Sequence, residues 1–152
     1  MDIRLRSATE KDTQLIFDWR NNPKTRQFSI DSSELSWKNH CTWIKAVIQN
    51  PYQQLLIAEQ NSSPIGVLRF DVSENTIEIT AMISIFLDPN RIHRGLGTTI
   101  IQQGCDWLKS NHPNIAMVTA HILPENIASK KAFIKCGFEE KKNHFELKLP
   151  KN

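Results

Sequence analysis

Two stretches of this chain carry residue types whose spacing could do chemistry. The first is Arg91-Ile92-His93-Arg94-Gly95-Leu96-Gly97-Thr98, which follows an apolar, strand-like run and opens an amphipathic helix. Glycines there let the backbone turn tightly and let a ligand approach without a Cβ in the way. The first amides of the helix point at that ligand with the positive end of the helix dipole behind them, an arrangement that holds phosphate. A Gly-x-Gly pair alone is usually an ordinary turn. A second stretch further along sets this one apart: Asn126-Ile127-Ala128-Ser129-Lys130-Lys131-Ala132-Phe133-Ile134-Lys135-Cys136-Gly137-Phe138.

The elements that must position these segments follow from hydrophobic period and turn chemistry. Ile3 and Leu5 begin a strand, and Thr9 is placed to cap a helix whose face is Leu15, Ile16 and Trp19. Asn21-Asn22-Pro23 ends that helix. A second helix is expected from about Ser36, with Trp37, Cys41, Ile44 and Ile48 as its apolar stripe. Gln53 to Glu59 and Ile65 to Val72 read as strands joined by Asn61-Ser62-Ser63-Pro64, and a long strand runs from about Thr76 to Leu87. In the helix after the cradle, Gly97, Ile100, Ile101, Gly104, Cys105 and Leu108 recur on one face until His112-Pro113 stops it. Residues 115 to 123 read as a buried strand, Asn126 opens the last helix and Gly137 caps its end. Two short strands finish the order β-α-α-β-β-β-α-β-α-β-β.

The 152 residues are expected to form one domain, 1–152, able to bury about two-thirds of the surface the unfolded chain exposes. A hydrophobic content of 39% with 23% charged residues is that of a globular protein. No segment has the roughly 18 uninterrupted apolar residues of a membrane span, and Met1 to Arg6 lacks a signal-peptide core, so a cytoplasmic protein is expected. Three widely spaced cysteines indicate neither a disulfide framework nor a metal site. The net charge of +3 is mild and its basic residues are scattered, which argues against nucleic acid as a partner.

Together the two chemical segments resemble motifs A and B of the GCN5-related N-acetyltransferase (GNAT) family, and the resemblance extends over roughly residues 2 to 149. Motif A reads Gln/Arg-x-x-Gly-x-Gly/Ala, with Ile92 in the Gln/Arg slot here and Arg91 beside it; motif B reads Asn-x-x-Ser/Ala-x-x-x-Tyr/Phe-x-x-x-Gly-Phe. The resemblance implies an α/β fold, a mixed and mostly antiparallel sheet with helices on both faces and a splay between the fourth and fifth strands. It implies acetyl-CoA as cofactor. Ile85, Phe86 and Leu87 would then offer main-chain groups to pantetheine, and His93, Arg94, Gly95, Leu96, Gly97 and Thr98 would hold the pyrophosphate. Asn126 and Ser129 would reach the cofactor from the other side, with Phe133 packed near the thioester.

The reaction implied is direct acyl transfer from a thioester to a primary amine in a ternary complex. The amine must lose a proton and the departing thiolate must gain one. Many relatives have a tyrosine at the position of Phe133, which has no proton to give, and the only tyrosine of this chain is Tyr52. As bases, Glu78 stands on the expected long strand, although the usual glutamate position is taken by Met82. His121 offers the side-chain type that titrates near neutral pH. Glu125 serves equally as a helix-starting carboxylate.

For the acceptor, Trp19-Arg20-Asn21-Asn22-Pro23, with His40 and Trp43, resembles the subgroup that acetylates nucleotide-linked amino sugars on the pathways to pseudaminic and other nonulosonic acids. Arginine can grip a diphosphate and tryptophan can face a ring. Arg69 and Asp71, on one face of the third strand, are placed to meet the sugar. Trp19 could equally be core, since it continues the Leu15/Ile16 stripe. The alternatives are a protein N-acetyltransferase acting on a ribosomal or other N-terminus, and a non-catalytic module that senses acyl-CoA. The expected partner is a small-molecule amine, with homodimer formation left open.

Overall fold

In the computed structural model, which describes residues 2–74, 77–92 and 94–150, one seven-stranded sheet carries helices on both faces. Its elements are β1 (Ile3–Ser7), a 3₁₀ turn (Glu10–Asp12), α1 (Thr13–Asn21), α2 (Pro23–Arg26), α3 (Trp37–Gln49), β2 (Gln53–Gln60), β3 (Ser63–Ser73) and β4 (Ile79–Leu87). They continue with α4 (Leu96–Asn111), β5 (Ile115–Ala120), α5 (Ile127–Lys135), β6 (Glu139–Glu140) and β7 (Phe145–Lys148). The strand order is β1-β2-β3-β4-β5-β7-β6. Among the described residues only β4 and β5 pair in parallel, joined by the crossover helix α4 that a parallel pair requires.

The strands in the middle are apolar on both sides because both faces are covered. In β2, Leu56 and Ala58 face α4 while Leu55 and Ile57 face α1 and α3. The first core holds Leu68, Phe70, Ala81 and Ile83 against Ile100, Ile101, Cys105 and Leu108. The second, smaller core packs Ile16, Ile44 and Val47 onto Leu55, Ile57 and Val67. Gly104 lies where α4 crosses β3 most closely: a Cβ there would come within 2.6 Å of Leu68 Cδ2. The β2–β3 turn is the two residues Asn61 and Ser62, both at positive φ, as a tight hairpin demands.

The parallel ladder is short. It runs from Ile79↔Ile115 to Met82↔Thr119, whereas β4 continues to Leu87 with β3 alone beside it and β5 turns to β7. The two strands therefore part after Met82, which is the expected splay.

Four expectations are corrected. The long strand begins at Ile79, so Ile77 and Glu78 form a bend before it, and Thr76 lies outside the described residues. β5 ends at Ala120, where its pairing with Phe145 of β7 stops, rather than at 123. Asn22 and Pro23 do end α1, yet Asn22 also caps a further turn, α2, by accepting from the Lys24 amide. The buried face of α3 is His40, Ile44 and Val47; Trp37 and Ile48 are exposed. Either stripe includes Ile44, and a buried hydrogen bond from His40 to α1 settles which one turns inward. Among the described residues, no helix is long and apolar enough to cross a membrane.

The entrance to α1 is held by charge. Asp12 is buried and receives two 2.8 Å bonds from Arg6 of β1, while its Oδ2 also accepts from the Thr9 amide to close a capping box. Arg6 reaches Glu59 of β2 as well, at 3.1 Å. The Arg6 guanidinium holds the Asp12 carboxyl below its usual range. A depressed carboxyl stabilises the fold above its unfolded pKa, about 3.9, and that contribution fades as the pH falls through its folded value. Asp12→Asn is thus expected to cost about 1–3 kcal/mol at pH 7 and less at pH 3, where part of the contribution has been lost. Urea unfolding at the two pH values checks this, and an equal loss at both would show that charge plays no part.

Candidate active site

The parting of β4 and β5 opens a cleft of about 930 Å³ in the middle of the sheet. Its floor is Met82 to Leu87 of β4, and β5 supplies Ala120 with His121 and Ile122 just beyond it. Backbone groups of β4 past Met82 face the gap without a strand partner, so an extended ligand bearing amides can pair there as an added strand would.

At one side of the cleft stands the first turn of α4. Gly95 has φ +74°, a left-handed conformation that an L side chain adopts only with strain. A Cβ on Gly95 or Gly97 would meet nothing within 4 Å. These two glycines therefore do not serve packing, as Gly104 does; they leave space in front of the helix amides. Among the described residues, no side chain caps this N-terminus. Free amides, a dipole and open room together fit the diphosphate of coenzyme A.

The residues expected to hold the cofactor separate by role. Ile85, Phe86, Leu87, Gly95, Leu96, Gly97, Thr98, Asn126, Ser129 and Phe133 all line the cleft. The Leu96 side chain is nevertheless buried in the core, so only its backbone is available. Arg94 is exposed and absent from the cleft wall, and His93 lies outside the described residues. Arg91, beside the Gln/Arg slot, is turned back onto Asp88 at 3.3 Å, while Ile92 lines the cleft. Asn126 caps α5 by accepting from the Ser129 amide at 3.2 Å. Phe133 is buried and packs edge-on to Phe138 at 4.9 Å.

The two candidate bases diverge. Glu78 is exposed in the bend before β4 and is not part of the cleft wall. His121 is exposed at the end of β5 and lines the cleft, its ring 6.3 Å from that of His144. Glu125 is exposed and outside the wall.

The other end of the cleft is built by α1, α2 and the loop that follows. Arg20 lines it, with its guanidinium 4.4 Å over the Trp43 ring; Arg69, also in the wall, lies 5.6 Å over the same ring. Arg69 is paired with Asp71 at 3.0 Å, and Gln53 holds Asp71 at 2.9 Å. Arg20 makes no hydrogen bond or ion pair among the described residues. Burial, and then the like charge of Arg69, push its pKa down, which marks a guanidinium short of compensation.

The remaining acceptor candidates stand behind this pair. Trp19 packs on the smaller core. Asn21 accepts from the Leu35 amide at 2.9 Å and so ties down the loop. Trp43 stands behind the wall, its ring occupied by guanidinium rather than offered to a substrate. His40 is 2% exposed and lies between Trp37 and Trp43 with the rings tilted, its Nε2 donating to the Thr13 carbonyl at 2.9 Å. Burial lowers its pKa, so it is a neutral core histidine whose Nδ1 has no partner among the described residues. Asp71 reaches the cleft only through Arg69.

Sequence reasoning passed over Lys24, Phe28 and Asp31, which also line this end. They belong to a short helix and a loop, where no periodicity marks a face. Asp31 is the one carboxylate in the described wall, held ionised by hydrogen bonds from Ser33.

Residues 2–139 match the family described as the Acetyltransferase (GNAT) domain. The chain is 30% identical over 147 residues to the uncharacterized protein MJ1062 of Methanocaldococcus jannaschii; this covers 92% of the chain but only 28% of that longer protein. It is 23% identical over 148 residues to acetyltransferase PseH of Campylobacter jejuni, covering 95% of this chain and 85% of that one. Among solved structures, AAC(6')-Ib in complex with paromomycin and acetyl-CoA is similar in fold, with a TM-score of 0.86 at 18% identity over 97% of this chain and 94% of that one.

A cradle built on open glycines makes a direct prediction. Gly97→Glu should leave the melting temperature unchanged, since its Cβ meets open space, yet weaken coenzyme A binding by about a hundredfold through bulk and like charge at the amides. Calorimetric titration measures it, and unaltered affinity would remove the cradle assignment.

Proposed function

The chain belongs to the acetyltransferase (GNAT) family and is an N-acetyltransferase using acetyl-CoA, and on that premise we propose that its acceptor is the amino group of a nucleotide-linked amino sugar. The observation that carries this reading is the Arg20–Trp43–Arg69 cluster in the acceptor half of the cleft. Two guanidiniums over one ring repel each other, and Arg20 has no bonded counter-ion among the described residues, only the weaker, longer-range attraction of Asp31. A diphosphate entering beside them supplies that counter-charge and can be gripped bidentately. The whole described wall holds Arg20, Lys24, Arg26, Arg69, Lys131 and Lys135 against the single carboxylate Asp31. Such a wall attracts anions and repels polycationic aminoglycosides, whatever the shared fold.

The similarity to PseH supports the same acceptor class, and the exposed Phe28 at the cleft wall gives a base or sugar ring a surface to lie on. In this reading the 152 residues act as one domain in the cytoplasm. The thioester lies along β4 with its diphosphate at Gly95–Thr98 and its amides against Ile85–Leu87. The amine lone pair attacks the thioester carbonyl; a C–N bond forms and the C–S bond breaks. His121 accepts the amine proton, directly or through water. Phe133 only packs, so the departing thiolate takes its proton from solvent.

Thiol release from acetyl-CoA tests the acceptor. The panel is a UDP-linked 4-amino-4,6-dideoxy sugar, an N-terminal ribosomal peptide and an aminoglycoside. Turnover confined to the sugar nucleotide is expected; turnover on peptide alone would replace this reading with a protein N-acetyltransferase, and acetyl-CoA binding without turnover on any would favour a sensor.

Two variants separate the roles. Arg20→Ala should raise the KM for the sugar nucleotide about tenfold or more while the KM for acetyl-CoA stays put. His121→Ala should lower kcat about a hundredfold with both KM values retained. An unchanged acceptor KM in the first, or an unchanged kcat in the second, would remove that residue from its role.

A further inference from the structure

We infer that Lys131 and Lys135 of α5 bind the 3′-phosphate of coenzyme A and make the enzyme select donors that carry it. The inference rests on the coenzyme A cradle and is independent of the acceptor. Both lysines line the cleft, and neither forms an ion pair or hydrogen bond among the described residues. They stand four residues apart on one helix, which places their Cβ atoms about 5–6 Å apart on the same face. Lys130, next to them in sequence, is instead engaged with Glu140 at 3.4 Å and is not part of the wall.

Their position relative to the cradle is set by a contact between helices. Cys136 Sγ donates to the Thr98 carbonyl at 3.3 Å, which seats the last turn of α5 against the first turn of α4. In coenzyme A the ribose that bears the 3′-phosphate is bonded directly to the diphosphate. A diphosphate fixed at the amides of Gly95–Thr98 therefore delivers the 3′-phosphate to the neighbourhood of that last turn. A phosphate monoester carries close to two negative charges at neutral pH. The C-terminal end of α5 carries partial negative charge and by itself would repel that dianion. Two ammonium groups one turn apart reverse the sign of the local field, and each is a flexible point charge suited to a terminal phosphate.

Lysine in the last turn of a helix also complements the dipole without any ligand. That role would leave affinity for the two forms of the donor equal, so a pair of ligands separates the readings. Calorimetric titration would compare coenzyme A with 3′-dephospho-coenzyme A on the wild-type chain, on Lys131→Ala/Lys135→Ala and on Lys130→Ala. The wild type should prefer coenzyme A by about tenfold, with the preference shrinking as salt rises. The double variant should lose the preference through weaker binding of coenzyme A alone, with dephospho-coenzyme A bound as before. Lys130→Ala should keep it, and Lys131→Arg/Lys135→Arg should restore it. A wild type that binds both equally, or a double variant that still prefers coenzyme A, would overturn the inference. A wild type that binds neither would overturn the cradle beneath it, a distinct result.

Discussion

Everything functional in this molecule depends on one interrupted hydrogen-bond ladder. β4 and β5 pair in parallel only as far as Met82 and Thr119, and past that point β4 keeps β3 while β5 keeps β7. An open strand edge in the middle of a sheet is normally a liability. Here the continuous core beneath Leu68, Phe70, Ile83, Ile100 and Ile101 holds both strands in place, so the gap stays open as a cleft. The crossover that joins the parting strands must then start its helix at the mouth of the gap. That is why the free amides of α4 and the unpaired edge of β4 share one cavity.

The second governing feature is electrostatic. The acceptor end gathers Arg20 and Arg69 around Trp43, and Trp43 is in turn backed by His40, 5.8 Å away. His40 stays neutral because it is buried; a charged imidazole there would add to the repulsion already present between the arginines. Asp71, steadied by Gln53, balances the Arg69 guanidinium, while Arg20 has no bonded ion-pair partner among the described residues. The cofactor half repeats this logic with lysines on α5. The cleft is thus cationic at both ends, with an apolar centre around Met82, Phe133 and Ile122.

Much of this was legible in the chain. The apolar face of α4, the caps Thr9 and Gly137, and the starts of α3 and α5 near Ser36 and Asn126 follow from local rules and stand where those rules put them. The turn expected over Asn61-Ser62-Ser63-Pro64 is only Asn61-Ser62, with Ser63 and Pro64 already paired in β3. The turn at Gly95 was legible too, because a left-handed backbone leaves few residues to choose from. The errors fall where two local solutions were nearly equal. The two possible stripes of α3 share Ile44, so only packing against α1 could decide that His40 turns inward. Glu78 stood on a long apolar-alternating run, and nothing in that run shows where the ladder with β5 begins.

The sequence by itself determined most of the elements, their order and the glycine-bearing start of α4, since those depend on residues a few positions apart. Only the tertiary structure decided which side chains reach the cleft. Arg20 and Arg69 are brought to one ring from α1 and β3, and Asp31 and Phe28 arrive from a loop with no period of its own. His121 faces the gap while Glu78 does not. Those outcomes are set by strand register and by helix rotation over the sheet, where a shift of one residue exchanges inside for outside. Such quantities belong to contacts between distant segments, and no local pattern records them.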